Sequence, residues 1–236
     1  MHLLVTRPRH QAQSTAATLE ARGHTVSIEP MLNVNPLATP MPDGNFDGLV
    51  LTSANALPSL AHHPKLEELL SLPVLTTGKA TKSAALDYGF SNVEQNTGSA
   101  LDLVAQMPDW LARHDVGNRI LYPCAESTAH DLNALLAGQG VSCIHWPVYR
   151  TEPAHALSEA TQRALQNNKI DAVLLYSKRT AHTFVQLMQQ NNLAMEGLHA
   201  YVMSQDIYDA LPKELQDHAQ YPDKPVEADL MNLIGP

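Results

Sequence analysis

Two stretches of the chain, LLVTRP at residues 3–8 and ILYPCAES at residues 120–127, follow the same plan. Each is a short apolar run that ends at a corner of small, polar or proline residues. A stretch with helical spacing of apolar residues follows, and then a glycine before another apolar run. Such a pattern predicts a buried strand, a helix and a second strand. We call this unit the A segment (residues 2–30 and 119–146).

A second pattern also occurs twice. FDGLVLTSANAL begins at residue 46 and IDAVLLYSKRTAHTF begins at residue 170, so that Asp47 corresponds to Asp171 and Ser53 to Ser177. A further strand, corner and helix follow in both places. We call this unit the B segment (residues 46–112 and 170–234). The order A–B–A–B predicts an internal duplication and two similar α/β domains with parallel sheets.

The A and B segments can be paired in two ways. Each A segment can join the B segment that follows it, or the middle B and second A segments can form one domain while the two chain ends form the other. Residues 33–44 and 147–155 carry prolines and are predicted as loops or linkers. These linkers favour the second pairing, but hydrophobic periodicity alone does not decide between the two.

Composition limits the functional classes. The chain has 236 residues, 44% of them hydrophobic, and a formal net charge of −9. It has neither a long apolar run nor a secretory signal, and its two cysteines do not form a disulfide framework, so a cytoplasmic protein is expected. The negative charge disfavours nucleic acid and anionic membranes as partners. A small anionic ligand stays compatible, because local backbone N–H groups can bind it.

The predicted strands end at corners rich in hydroxyl groups. In parallel α/β sheets, ligands bind at these carboxyl ends, where helix N-termini present N–H groups to carboxylate or phosphate oxygens. Serine and threonine are also ordinary helix caps, so a single corner carries little information. The set of corners predicts an anion-binding site; its members are Thr6-Arg7-Pro8, Thr52-Ser53-Ala54, Thr77-Gly78-Lys79, Pro123-Cys124-Ala125, Ser177-Lys178-Arg179 and Ser204-Gln205-Asp206.

Familiar catalytic signatures are absent. The sequence has no phosphate-binding glycine loop, no dinucleotide fingerprint and no G-x-S-x-G elbow, and its histidines are too scattered to predict a metal site. Cys124, at a strand end, is either an activated thiolate or a small half-buried residue. Tyr149 lies in the second linker, so its hydroxyl either donates a proton or hydrogen bond to a ligand or only packs between domains.

The chain resembles the uroporphyrinogen-III synthase family. The motifs that carry the resemblance occur in the family's order and span nearly the whole sequence: LVTRP at 4–8, LTSANAL at 51–57, TTGKAT at 76–81, ILYPCAESTAHDLNALLAGQGVSCIHWPVYRT at 120–151, YSKRTAHTF at 176–184 and VMSQDIYDAL at 202–211. Each motif is short, so their ordered set carries the specificity.

The resemblance implies two flavodoxin-like, three-layer α/β domains with a central cleft. Residues 40–146 would form an inserted domain, residues 1–34 and 153–236 the other domain, and residues 35–39 and 147–152 a two-stranded linker. The implied reaction is the loss of water from hydroxymethylbilane and its closure to uroporphyrinogen III with the last ring inverted, through a spiro pyrrolenine. No metal or organic cofactor is expected. A monomer is expected, with a transient contact with hydroxymethylbilane synthase.

The resemblance also assigns roles to individual residues. Tyr149 matches the family's linker tyrosine, which would assist departure of the hydroxyl. The matching substrate-binding positions are Thr6, Arg7, Ser53, Thr77, Lys79, Ser177 and Ser204. Two corners depart from the family pattern, YSKRT at 176–180 and VMSQD at 202–206. At these corners Lys178 or Arg179 could take over part of the anion binding.

A second hypothesis comes from another functional class. Two-domain α/β proteins also bind small anions without chemistry, and the corners described above suit that role as well. The absence of an export signal argues against a periplasmic version. The two hypotheses differ in whether hydroxymethylbilane is converted to the type III isomer.

Overall fold

The computed structural model describes residues 1–61, 63–96 and 98–235. The strands are β1 His2–Val5, β2 Thr25–Ile28, β3 Leu32–Pro36, β4 Gly48–Leu51, β5 Val74–Thr77, β6 Val93–Asn96, β7 Arg119–Ala125, β8 Ser142–Pro153, β9 Ala172–Leu175, β10 His199–Val202 and β11 Ala219–Gln220. The helices are α1 Arg9–Glu20, α2 Leu57–Leu60, α3 Leu66–Leu70, α4 Gly78–Asp87, α5 Ala100–His114, α6 Leu132–Ala137, α7 Glu159–Gln166, α8 Lys178–Gln190, α9 Gln205–Tyr208, α10 Lys213–Gln216 and α11 Glu227–Ile234. This alternation confirms the predicted α/β class.

The chain divides into two compact units. The first unit combines Met1–Asn33 with the chain from Glu152 onward, and the second unit is Val34–Thr151. The first unit therefore contains the first A segment and the second B segment. The second unit contains the first B segment and the second A segment.

Each unit has its own sheet. Among the described residues, the first unit has a five-stranded sheet in the order β2-β1-β9-β10-β11, with all neighbours parallel. The sheet of the second unit follows the order β3-β8-β7-β4-β5-β6, and its strands from β8 to β6 are parallel. The first order is the flavodoxin-like arrangement.

The two sheets place the A and B segments identically. In each sheet, the second and first strands of an A segment are followed by the three strands of a B segment. Apart from β3, which extends the second sheet at its edge, the two differ in chain order: the A segment comes first in the first unit and last in the second. The units are thus circular permutations of one plan, which confirms the duplication predicted from the sequence.

Helices cover both faces of each sheet, because alternate residues of the buried strands point to opposite cores. On β1, Leu4 packs in one core with Phe184 of α8, whereas Leu3 packs in the other with Leu19 of α1. In the second unit, Leu49 of β4 packs on the α2 side. Its neighbour Val50 lies in the core formed with α5 and α6. The result is a three-layer arrangement in each unit.

The two segments predicted as linkers from their prolines contain strands. β3 occupies residues 32–36, and β8 continues without interruption through residues 147–153. Leu37 N–H donates to the Val148 carbonyl at 2.9 Å, and Ala154 N–H donates to the Met31 carbonyl at 3.0 Å. Pro36 is tolerated at the end of β3 because β3 lies at a sheet edge, where a missing N–H removes no ladder bond.

No described helix combines the length and the apolar character needed to cross a bilayer.

Candidate functional site

Both units have a switch point, where the chain leaves two adjacent strands toward opposite faces of the sheet. In the first unit it lies between β1 and β9, and in the second between β7 and β4. In open α/β sheets, ligands bind at the carboxyl ends of the strands at such a point. A ligand is therefore expected at these two corners.

In the second unit, hydrogen bonds from neighbouring strands hold the corner after β4. Thr77 at the end of β5 donates its hydroxyl to the Thr52 carbonyl at 2.8 Å. The hydroxyl groups of Thr52 and Tyr122, a residue of β7, are 2.8 Å apart. The Ser53 hydroxyl accepts a hydrogen bond from Asn55 N–H at 3.2 Å and caps the short 3-10 helix that follows. The corner is thereby fixed in position before any ligand binds.

Tyr149 of β8 reaches this corner. Its side chain is 5% exposed, and its phenol forms hydrogen bonds with the side chains of Ser53 and Asn55. Burial raises the pKa of the Tyr149 phenol above its ordinary value, although these two hydrogen bonds act in the opposite direction. The phenol is therefore neutral at physiological pH and keeps its proton for donation.

A cavity of about 250 Å³ opens beside Tyr149, entirely within the second unit. Its walls are mainly hydroxyl groups and small side chains, contributed by Thr52, Ala100, Tyr122, Ala125, Ser127, Thr128, Ala129, His130, Leu132 and Tyr149. Among these residues there is no lysine, arginine or carboxylate. The cavity therefore offers a ligand hydrogen-bonding groups, the His130 ring among them, and no lysine or arginine charge.

Two further groups near this corner are uncharged. Burial raises the pKa of the Tyr122 phenol to about 12, although its hydrogen bond with Thr52 acts in the opposite direction. Burial likewise raises the pKa of the Cys124 thiol to about 11. A thiol that is buried and protonated at neutral pH favours the alternative in which Cys124 is a small structural residue and not an activated thiolate.

The corresponding corner of the first unit is occupied by the protein's own side chains. Thr6 is fully buried, and its hydroxyl donates to the Leu174 carbonyl at 2.5 Å. The guanidinium group of Arg7 lies 2.5 Å from a Glu227 carboxylate oxygen and stacks over the Tyr176 ring at 4.3 Å. In this structure Thr6 and Arg7 therefore bind other parts of the first unit.

The remaining predicted residues lie at helix starts. Ser177 caps α8, accepting a hydrogen bond from Thr180 N–H at 3.1 Å. Ser204 precedes α9, but its side chain forms no cap hydrogen bond, so its hydroxyl is not used by its own helix. Lys79 is exposed in the first turn of α4. Lys178 pairs with Asp206, its ammonium nitrogen lying 3.3 Å from a carboxylate oxygen.

The structure brings Tyr149, Ser53 and Thr77 to one corner. Sequence reasoning did not select Asn55 or Tyr122, although both contribute side chains there. Asn55 lies inside the quoted LTSANAL motif, so its position was a usable signal. Tyr122 lies in a buried strand, where an aromatic residue is ordinary and carries no functional signal.

Sequence comparison places the chain among known proteins. A sequence model of the family described as "Uroporphyrinogen-III synthase HemD" matches residues 13–232. A uroporphyrinogen-III synthase from Synechococcus elongatus is 26% identical over 202 residues, which cover 80% of this chain and 75% of the relative. One from Chlorobaculum parvum is 28% identical over 203 residues, which cover 81% of each chain.

Solved structures share the fold. The uroporphyrinogen-III synthetase of Helicobacter pylori has a TM-score of 0.63 at 17% identity, covering 99% of this chain and 98% of that one. A mutant uroporphyrinogen III synthase of Thermus thermophilus has a TM-score of 0.52 at 15% identity, covering 99% and 97%. The match of the family model to almost the whole sequence shows that the chain belongs to the uroporphyrinogen-III synthase family.

Proposed function

We propose that this protein is a cyclising hydro-lyase that converts hydroxymethylbilane to uroporphyrinogen III. Membership of the family supports this function over non-catalytic anion binding. The observation that carries the chemistry is the Tyr149 phenol, which is neutral, hydrogen-bonded by Ser53 and Asn55, and exposed to a cavity lined with hydroxyl groups.

In the first step, the substrate loses water. The C–O bond of the hydroxymethyl group breaks, the oxygen leaves with the bonding electrons, and the Tyr149 phenol stabilises it by donating a hydrogen bond. The lone pair of the pyrrole nitrogen forms the new double bond of an azafulvene. The proton lost from that nitrogen completes the departing water, so Tyr149 ends the step in its starting protonation state.

In the second step, the enzyme controls which carbon attacks. The substituted carbon of the last ring bonds to the azafulvene methylene and forms a spiro pyrrolenine. The bond from the spiro carbon to the methylene bridge of the third ring then breaks, and that methylene bonds instead to the unsubstituted α-carbon of the last ring, which inverts the ring. Loss of the proton from this carbon restores the pyrrole. Orientation of the bound chain is the main requirement, which is consistent with a site that lacks a cluster of catalytic acids and bases.

We assign the substrate's carboxylates to strand-end groups in each unit. The second unit would contribute Ser53, Thr77 and the exposed Lys79. The first would contribute Ser177 and Ser204, whereas Arg7 would have to exchange Glu227 for a substrate carboxylate. Because the Thr6 hydroxyl is buried, we assign Thr6 the supporting role of holding β1 against β9. The backbone N–H groups at helix N-termini would bind further carboxylate oxygens, which matters in an acidic protein with few cationic groups at the site.

The decisive experiment is an isomer assay. Hydroxymethylbilane is supplied to the purified protein, the products are oxidised, and the type I and type III isomers are separated. We expect type III in excess over a reaction without enzyme, which closes to type I. Type I alone, formed at the spontaneous rate, would reject the proposed function. The predicted domain boundaries, cytoplasmic location, monomeric state and transient contact with hydroxymethylbilane synthase stay predictions.

A further inference from the structure

The cavity beside Tyr149 matches one part of a tetrapyrrole. Its volume of about 250 Å³ lies below the range of roughly 300–1,000 Å³ that is usual for pockets holding a drug-sized ligand. This volume is too small for a whole linear tetrapyrrole, whereas it suits a single substituted ring. The chemistry of the lining residues determines which of the four rings can bind there.

The chemistry of the walls favours the uncharged portion of a ring. The described lining residues provide hydroxyl groups from Thr52, Ser127 and Thr128 and two phenols, without a lysine or arginine. A carboxylate buried here would lose its hydration and would find no lysine or arginine as a counter-ion, which is costly. A pyrrole ring with its N–H group and a neutral hydroxymethyl group fits such walls, and its acid side chains would extend through the cavity opening.

Two phenols line this cavity and are held separately. Tyr149 is fixed by Ser53 and Asn55, and Tyr122 by Thr52 at 2.8 Å. The Tyr122 ring also packs edge-on against the His145 ring, with centroids 5.1 Å apart. Both phenols are thus oriented before a ligand binds, and Tyr149 is the group assigned to the leaving hydroxyl.

We propose that this cavity is the subsite for the single pyrrole ring that carries the leaving hydroxymethyl group, and that Tyr122 is a positioning residue for that ring. This inference rests on the proposed function. It assigns water loss to the second unit's cavity and leaves the ring that is inverted outside it.

The first test fills the cavity and follows two quantities, the rate of bilane consumption and the isomer ratio. Ala125→Leu adds three carbons to a cavity wall, and Ala134→Leu adds the same carbons to an exposed position of α6 that does not line the cavity. We expect Ala125→Leu to lower bilane consumption at least tenfold, toward the spontaneous rate with type I product, while Ala134→Leu matches the wild type.

The outcomes separate the two terminal rings. Rapid consumption with mainly type I product would mean that water loss is intact and inversion is lost, so the cavity would hold the other terminal ring and the proposal would fail. Wild-type rate and isomer ratio would also overturn it. Should Ala125→Leu not fold, Ala100→Leu fills the cavity from the first residue of α5 and is judged by the same criteria.

The positioning role of Tyr122 has its own readout. Tyr122→Phe removes one hydroxyl, and we expect roughly tenfold slower bilane consumption while the cavity stays open and the melting temperature changes by only a few degrees. Substitution of the partner, Thr52→Val, should give a similar loss, and the double variant should add little to either. Unchanged consumption in a folded Tyr122→Phe protein would reject this role.

A second measurement does not depend on catalysis. A monopyrrole with one carboxymethyl and one carboxyethyl chain is titrated into protein labelled at alanine methyl groups. We expect the resonances of the lining residues Ala100, Ala125 and Ala129 to shift, and that of Ala134 to stay unchanged. No shift at the three lining methyls would reject the subsite. Shifts there in a protein that forms no type III isomer would instead reject the synthase function and keep the pyrrole site.

Discussion

The two switch points are built on one plan and filled differently. The pairing register makes Arg7 of the first unit equivalent to Cys124 of the second, because Leu3 pairs with Ala172 as Ile120 pairs with Gly48. By the same register, Tyr176 is equivalent to Thr52. In the first unit the corner holds the large pair Arg7 and Tyr176, with the guanidinium group stacked over the ring at 4.3 Å. In the second unit Thr52 lines the cavity.

The last helix of each B segment adds to this difference. In the first unit α11 begins with Glu227, which binds Arg7, and in the second α5 begins with Ala100, which lines the cavity. A charged pair therefore occupies one corner, while a 250 Å³ cavity occupies the other. Duplicated frameworks keep their strand order, since the order is set by packing of whole elements. Their corners diverge because a single side chain at a corner contributes little to the stability of the fold.

The largest expected effect concerns the corner of the second unit, where Tyr149 lines the cavity. Tyr149→Phe should lower turnover roughly 100-fold, because the donor to the leaving hydroxyl is lost. The free energy of unfolding should change by only about 1 kcal/mol, as for one hydrogen bond. Bilane consumption and urea unfolding measure the two quantities. Because burial raises the pKa of Tyr149, its neutral form persists to more alkaline pH, and the wild-type rate should show no loss from this phenol below about pH 10.

A matched control for that variant lies in the first unit. Tyr201 is also buried, at 8% exposure, and lies within β10. Tyr201→Phe makes the same chemical change in the first unit, away from the cavity beside Tyr149. It should leave turnover within a factor of about two of wild type. Equal turnover in the Tyr149→Phe and Tyr201→Phe proteins would remove the special role of Tyr149.

A smaller effect is expected at the corner of the first unit, where Arg7 and Glu227 form an ion pair. Glu227→Gln removes the charge that Arg7 binds at 2.5 Å, and should lower the free energy of unfolding by about 1.5 kcal/mol, within the range for hydrogen bonds to charged groups. Chemical denaturation measures it. The control is Glu159→Gln, which breaks an exposed pair with Arg163 on α7 and should cost at most about 0.5 kcal/mol. Equal losses of stability would show that the Arg7–Glu227 pair stabilises the protein no more than an exposed surface pair does.

The smallest effects compare two serines of the first unit. Ser177→Ala removes a helix cap and should cost about 1 kcal/mol, whereas Ser204→Ala removes no cap bond and should change stability by only a few tenths of a kcal/mol. Thermal unfolding separates them. If the Ser204 hydroxyl binds the substrate, Ser204→Ala should raise KM although it hardly changes stability. A Ser204→Ala protein less stable than Ser177→Ala would contradict the assignment.

Much of the fold was predictable because it depends on local patterns. Buried parallel strands are continuous apolar runs, so β1, β4, β7 and β9 were identified from the sequence, and the repeated A and B segments indicated two related domains. Prolines at residues 33–44 and 147–155 predicted loops or linkers, whereas β3 and β8 cover part of these segments. The family resemblance, by contrast, implied a two-stranded linker there. An edge strand such as β3 tolerates proline, and whether a strand lies at an edge is decided by its neighbours in the sheet.

The site was predictable only in part. Ser53, Thr77 and Tyr149 were selected from the sequence or from the family resemblance, and the structure places them at one corner. Arg7 was selected as a substrate ligand, yet it binds Glu227, which is 220 residues away in sequence. No local pattern encodes that distant partner. The same reason explains why Tyr122, an ordinary strand residue by composition, was not selected.

The sequence by itself determined the α/β class, the duplication and the hydroxyl-rich strand ends, since each depends on residues that are close along the chain. Only the tertiary structure decided how segments pair into units and which side chains occupy each switch point. That outcome depends on the sizes and charges of side chains from three separate elements, and these meet only when the sheet has formed.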